Sequence, residues 1–313
     1  MHQDVLEFLQ QLINGLSVGA IYALIAVGYT MVYGVLRLIN FAHGDVYMVG
    51  AMAGVYAARW LGFGGSVPAD RSAVWMWTAF VLVLVAAMLA CAALGFAIEL
   101  LAYRSLRNQP RITALITAIG VSMFLEFGGQ RVFGANPQAF PQIVRTHTFD
   151  VGGVMIGVAD IIIFALTIVL MAVLTVLVKY TQTGRALRAV SFRFDTAALM
   201  GINVNRIVSF TFILGSALAA AAGILVAVRS TRVDPLMGLL PGLKAFIAAV
   251  LGGIGNIPGA VAGGLLLGMT ETLVAGYLPQ GSQYRDGVAF VILIGVLLVK
   301  PSGLFGQNVV EKV

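Results

Sequence analysis

The chain has 313 residues, of which 60% are hydrophobic and only 10% charged, with a mean hydropathy of +0.97. Soluble domains carry about 25% charged residues, so this composition excludes a soluble globular protein and points to a polytopic membrane protein without a soluble domain. The net charge of +6 is what basic cytoplasmic loops facing anionic lipid produce, and it gives no reason to expect nucleic-acid binding.

A hydrocarbon core of roughly 30 Å is crossed by about 20 apolar residues as helix. In chain order, such spans fall at 10–35, 43–61, 74–102, 112–133, 154–179, 207–228, 243–276 and 286–300. The first apolar run begins near Leu12. It is too long for a signal-peptide core and has no basic leader, so it is expected to be retained. The seventh is too long for one simple crossing and is interrupted by GGIGNIPG at 252–259. It is either two short spans or a helix pair with a re-entrant break. The expected fold is therefore an all-α membrane protein of eight transmembrane helices, nine if 243–276 crosses twice, forming one domain over 1–313. The abundant glycine, 37 residues, suits close packing between membrane helices.

Charge sets the orientation. Arg104, Arg107 and Arg111 lie in one polar connection. Lys179, Arg185, Arg188, Arg193 and Arg206 lie in another. The positive-inside rule places both in the cytoplasm. Arg37, Lys300 and Lys312 join them if 243–276 crosses twice, which puts the N-terminus outside. The other side carries Arg59, Arg71, Arg131, Arg145, Arg229, Arg232 and Arg285, so the bias is modest, and Lys244 is unassigned. The outer connections 62–73 and 134–153 are rich in Pro, Asn and Gly, which marks turns. They are either plain connections or a shallow rim for a soluble partner.

Several motifs fall at the edges or inside of these spans. Asn40-Phe41-Ala42-His43-Gly44-Asp45 joins the first two. His43 and Asp45 are too few ligands for a metal site, and a turn in which Asn40 and Asp45 cap helix ends explains them. Cys91 stands alone, so neither a disulfide nor a cysteine metal cluster is expected. Glu99, Glu126 and Glu271 lie in apolar runs, where carboxylates are costly and so are functional candidates. Glu99 and Glu126 are near span ends, within reach of Arg104 and Arg131. Glu271 is deeper and is either a pathway residue or a structural hydrogen-bonding group. In GGIGNIPGAVAGGLLLG (252–268), Gly253 and Gly255 fit the start of a dinucleotide loop, but Pro258 occupies the third glycine position and no strand precedes it. In a membrane the same cluster breaks a helix where it can line a cavity. Asn40, His43, Glu271, Gly253, Gly255 and Asn256 are accordingly the candidates for a translocation pathway.

Residues 179–206 form the longest polar interruption of the chain. Thr183 is placed to cap a helix whose first turn holds Gly184 and Arg185. Leu187, Val190, Ser191, Phe194 and Ala198 follow on one helical face, and Arg188 and Asp195 fall on similar faces. Gly201 can end the helix, and Asn203 and Asn205 suit the turn beyond. Ala197, Ala198 and Gly201 are small enough to admit another surface. A plain connector needs neither this length nor such a patch, so a docking helix is expected. No lysine follows a glycine as a P-loop requires, and neither G-x-S-x-G nor H-E-x-x-H occurs. Enzymatic catalysis, a metal centre and a cofactor are not expected.

RAVSFRFDTAALMGINVNRI (188–207), INFAHGD, GGIGNIPGAVAGGLLLG and KPSGLFG together resemble the permease subunits of the bacterial branched-chain amino acid ABC importers. The resemblance spans about residues 12–306. It departs from the general importer pattern of Glu-Ala-Ala, three residues, then Gly: Thr196 takes the acidic position and the spacing to Gly201 is one short. The resemblance implies a multi-pass protein of the bacterial inner membrane that passes leucine, isoleucine and valine, or related small amino acids and amides. It implies two cytoplasmic ABC ATPase subunits, a second homologous permease and a periplasmic or lipid-anchored binding protein as partners. Force would enter through Gly184, Arg185, Arg188, Ser191, Asp195, Ala197, Ala198, Gly201 and Asn203. The alternative is an ion-coupled secondary transporter or channel, in which 184–203 would have no evident task.

Overall fold

Lipid offers backbone N–H and C=O groups no partners, so apolar runs that cross a membrane must satisfy them internally, as helices. The computed structural model describes residues 2–64, 72–106, 109–145 and 147–306. Most of the 62–73 connection, together with Arg71, Arg107 and Lys312, lies outside the described residues. The helices are α1 (His2–Leu36), α2 (His43–Trp60), α3 (Ala73–Ile98), α4 (Arg111–Phe133), α5 (Val158–Tyr180), α6 (Gln182–Phe192), α7 (Phe194–Leu199), α8 (Val204–Ser230), α9 (Leu239–Gly252), α10 (Ile257–Tyr277) and α11 (Gly281–Val299). A π-helical turn over Glu99–Tyr103 extends α3.

Among the described residues, seven helices are long and apolar enough to cross a membrane, and the protein is a multi-pass membrane protein. The helix at 43–60 forms as expected but is not one of the seven. It is glycine- and alanine-rich, carries His43, Asp45 and Arg59, and is buried along most of its length by its neighbours. The expected fifth span begins four residues late, because Val154–Gly157 pairs as a strand with Thr148–Val151. A second two-residue pairing joins Gln138–Ala139 to Arg232–Val233. The connection at 134–153 is thus partly strand rather than turn alone.

The core is α1, with α10 and α8 against it. A side-chain carbon at Gly19 would lie 2.7 Å from Leu265 Cα, and one at Gly15 2.8 Å from Met269 Cα. Facing them, Gly264 and Gly268 lie against Ala23 and Gly19. The two helices run antiparallel with their backbones nearly touching. Gly34 lies by Gly255 at one end and Gly276 by Gln11 at the other, so the α9–α10 turn sits beside the C-terminus of α1.

This arrangement gives the bundle two ends. The strand end holds Gln10, whose amide bonds Met155, both strand pairs and the α10–α11 turn. The basic end holds Arg37, Arg104, the 181–203 segment, the α9–α10 turn and Lys300. The segment 243–276 is therefore broken as expected and resolves into a short helix and a full one. At about 1.5 Å per residue, the 14 residues of α9 cover about 21 Å, less than the membrane core. α9 starts in the interior, where Gly238 and Gly242 lie against Gly44 at the start of α2.

A larger residue in the α1–α10 seam should force the helices apart. Gly264→Val is expected to cost about 1–3 kcal/mol and to lower the melting temperature of the detergent-purified protein. Gly120→Val, on a face of α4 where an added carbon meets nothing within 4 Å, is expected to leave it unchanged. Equal effects would refute the close seam.

Candidate functional site

The polar segment at the basic end is clamped to the helix before it. α5 leaves its last carbonyls without intrahelical partners. Thr181 Oγ1 donates to the Leu177 carbonyl at 2.5 Å, and the Arg188 guanidinium donates to the Val178 carbonyl. Thr181, not Thr183, is the N-cap of α6, and its hydroxyl accepts from Gly184 N at 3.0 Å. Gly184 is buried over those same two carbonyls, and any side chain there would collide with them. Capping of one helix and initiation of the next therefore use the same few residues.

The single docking helix expected over 184–201 is instead two. Arg193 is extended (φ −153°, ψ 121°) and separates α6 from α7. The phase between the two helices is lost, so Arg188 and Asp195 do not share a helix face, and Arg188 is engaged with α5. Leu187, Val190 and Ala197 turn inward and are buried, so Ala197 is part of the support rather than of an open patch. Ser191 is half-buried and its hydroxyl bonds the Arg188 carbonyl. Arg185, Asp195, Ala198, Gly201 and Asn203 are exposed. Gly201 ends α7 with φ +79°, and Asn203 caps α8 by accepting from Arg206 N at 3.1 Å.

The sequence reading missed three outward apolar residues: Phe192 (80% exposed), Leu199 (87%) and Met200 (78%). Their signal was an apolar residue out of phase with the buried face of an otherwise polar segment. Beside them, an open groove of about 380 Å³ is lined by Phe96, Arg104, Asn203, Asn205, Arg206 and Ser209 among others.

The pathway candidates do not converge on one place. Asn40 accepts a hydrogen bond from Tyr103 at 2.9 Å, and Asp45 accepts one from Ser122 at 2.5 Å. Neither caps α2, whose N-cap Ala42 has no side-chain bond; both are spent on bonds to helical segments distant in the chain, because buried polar groups need partners. His43 is buried edge-on to Tyr29, ring centroids 4.7 Å apart. Gly253 (φ +101°) and Gly255 (φ +95°) form the α9–α10 turn. Asn256 caps α10 and donates to the Phe305 carbonyl. Leu304 N and Phe305 N bond the Leu251 and Gly252 carbonyls. The GGIGNIPG and KPSGLFG strings are thus one structure, in which the tail covers the turn.

Two buried carboxylates are paired. Glu99 is held by Arg104 at 2.8 Å and by Ser209 at 2.8 Å. Glu271 (0% exposed) accepts from Tyr22 at 3.0 Å and is ion-paired with Lys244 at 3.0 Å. Lys244, unplaced by the sequence, also meets Asp286 at 2.7 Å. Its spacing from Glu271 and Asp286 in the chain gave no sign of this contact, which is made only when α9, α10 and α11 pack together. Glu271 is therefore an engaged group, not a free intramembrane carboxylate. Among the described residues, no group of three or more His, Cys, Asp or Glu could hold a metal ion.

Comparison with known proteins matches residues 11–297 to the family described as "branched-chain amino acid transport system / permease component". The chain is 43% identical over 314 residues to a Pseudomonas aeruginosa protein named high-affinity branched-chain amino acid transport system permease protein BraD, covering 99% of each. It is 42% identical over 318 residues to the Escherichia coli protein of the same description, LivH, covering 100% of each. A solved structure of PsaBC from Streptococcus pneumoniae in complex with Fab covers 94% of this chain and 92% of that one, at 14% identity and a TM-score of 0.46; at that distance the likeness carries no argument.

Removing one partner of a buried ion pair typically costs about 3–5 kcal/mol, because a charge is left uncompensated. Lys244→Met should therefore lower the melting temperature sharply. Lys244→Met combined with Glu271→Gln, which still accepts from Tyr22, should recover much of the loss. A double variant no more stable than Lys244→Met would show that the pair is not what holds α9 to α10.

Proposed function

This chain belongs to the branched-chain amino acid transport system permease family, and from that premise we propose that it forms one half of the membrane pathway of an ATP-driven importer of leucine, isoleucine and valine. ATP is hydrolysed on separate cytoplasmic subunits, one docking on each of two related permease chains. A soluble or lipid-anchored binding protein delivers the amino acid at the strand end, to the rim made by the β pairs. The basic end faces the cytoplasm of a bacterial cell across its inner membrane.

The observation that carries the coupling half of this proposal is the outward row Phe192, Leu199 and Met200, on a segment whose inner face is already committed to the bundle. Large apolar side chains projecting from a basic, water-facing segment suit a protein partner. Arg185, Asp195, Ala198 and Gly201 surround that row, and the Arg104–Arg206 groove beside it suits an acidic or polar element of the same partner. The clamp of Thr181, Gly184 and Arg188 onto α5 makes the segment a stiff extension of a membrane helix, so displacement at the docking face is passed into the bundle rather than absorbed by a loop. Ser191, half-buried, adjoins Phe192 in the chain, and Asn203, exposed, caps α8 beside the groove.

Leu199→Asp changes a side chain that supports no packing. It should leave the protein inserted and folded while amino acid uptake by the assembled importer falls at least tenfold. Gly201→Arg should do the same, with added strain from its left-handed backbone. A cross-linker at residue 191 should capture an ABC ATPase subunit in native membranes. Normal uptake by Leu199→Asp would reject this surface as the docking site, and uptake driven by an ion gradient without ATP would reject the importer itself.

A further inference from the structure

An α-amino acid carries an ammonium and a carboxylate, and both must be paired or hydrated wherever it passes through a membrane. Among the described residues, Lys244 of α9, Glu271 of α10, and Arg285 and Asp286 of α11 place both signs of charge in one cluster. Its inner half is closed: Glu271 is fully buried and is engaged by Tyr22 at 3.0 Å and Lys244 at 3.0 Å. Its outer half is open. The Asp286 side chain is 50% exposed although one of its oxygens lies 2.7 Å from Lys244 Nζ. Arg285, within electrostatic reach of Glu271 and Tyr22, has a buried Nε with no hydrogen-bond partner.

A brace that only joined α9 to α10 and α11 would gain little from charges, since packed apolar side chains of similar volume do as well or better at depth. The outer half also has what a brace lacks: an accessible anion and a cation with an unused donor, adjacent in the chain. α9 is an interrupted helix that begins inside the bundle, and in transporters such helices border the cargo site. The two cations and two anions balance, so a neutral zwitterion adds no net charge to a low-dielectric region.

We propose that this cluster receives the charged head group of the cargo. Asp286 takes the α-ammonium, Lys244 and Arg285 take the α-carboxylate, and the Tyr22–Glu271 pair holds Lys244 from behind. The inference rests on the cargo being an amino acid. It assigns the discrimination of the zwitterion to α9 and α11, at the end of the bundle where cargo is delivered.

The test uses the complete importer in proteoliposomes, with Asp286→Asn and Arg285→Gln, which keep side-chain size at partly exposed positions. Leucine uptake should fall at least tenfold in each. A leucine analogue bearing a photoreactive diazirine should label α9 or α11 in the wild-type importer, and Asp286→Asn should lose that label; a purely structural brace would not determine where cargo is labelled. Uptake within twofold of wild type in both variants overturns the site, as does labelling wholly outside α9 and α11. A wild-type importer that moves leucine while both variants match it rejects this site alone. A wild-type importer that moves no amino acid rejects the cargo assignment and the site with it.

Discussion

Helix-to-helix contact without water to drive it is the constraint on which this molecule depends. Lipid tails are as apolar as leucine, so burying a leucine face against another helix gains little in a membrane, and association rests on van der Waals contact at short range. α1 meets α10 through Gly15, Gly19, Gly264 and Gly268, where the backbones come close enough that a single added carbon would collide. α2 meets α8 in the same manner, Gly50 against Ala220 and Gly223 against Ala51. With α1 in the centre, α3, α4, α5 and α11 form the periphery, with large apolar side chains facing outward.

Close packing also allows irregular backbone to exist inside the bundle. α2 and α9 both begin in the interior, and Gly44, Gly238 and Gly242 bring those beginnings together. Polar groups there are satisfied by neighbours rather than by water: Asn40 by Tyr103, Asp45 by Ser122, Glu99 by Arg104 and Ser209. The same economy governs Lys244, which joins three helices through Glu271 and Asp286. A charged network at this depth is costly unless complete, and its inner half is complete while its outer half is not.

At the basic end the construction is different. The capping of α5 by Thr181 and Arg188 ties α6 directly to a membrane helix, and Leu187, Val190 and Ala197 hold the segment down. What remains exposed is a short, partly apolar surface. The tail, Lys300–Gly306, closes over the α9–α10 turn at the same end. α5, α8 and the α9–α10 pair thus lie in adjacent positions at this end, and α10 runs from there to the charge cluster toward the strand end.

The sequence by itself determined the class of the molecule, the placement of most spans, the break at 252–259 and the existence of a special segment at 179–206. Each of these follows from local composition, because about 20 apolar residues suffice to define a membrane helix and Gly-Pro or basic runs suffice to interrupt one. The likeness of four separate strings to one family was legible there too. The end of α7 at Gly201 was legible because only glycine adopts its left-handed backbone without strain. What the sequence could not give was contact. The spacing of Leu187, Val190, Ser191, Phe194 and Ala198 fits one helix, yet α5 and the bundle hold 181–203 as two, broken at Arg193. Asn40 and Asp45 look like caps from their places in the chain, but helices distant in sequence supply better partners. Lys244, Glu271 and Asp286 are separated by stretches of apolar helix, and only the packing of α9 and α10 against α1, with α11 against both, makes them a cluster. Tertiary structure decided these points because inside a membrane a polar group takes its partner from whichever helix is nearest, and that is set by the close approach of backbones, not by position along the chain.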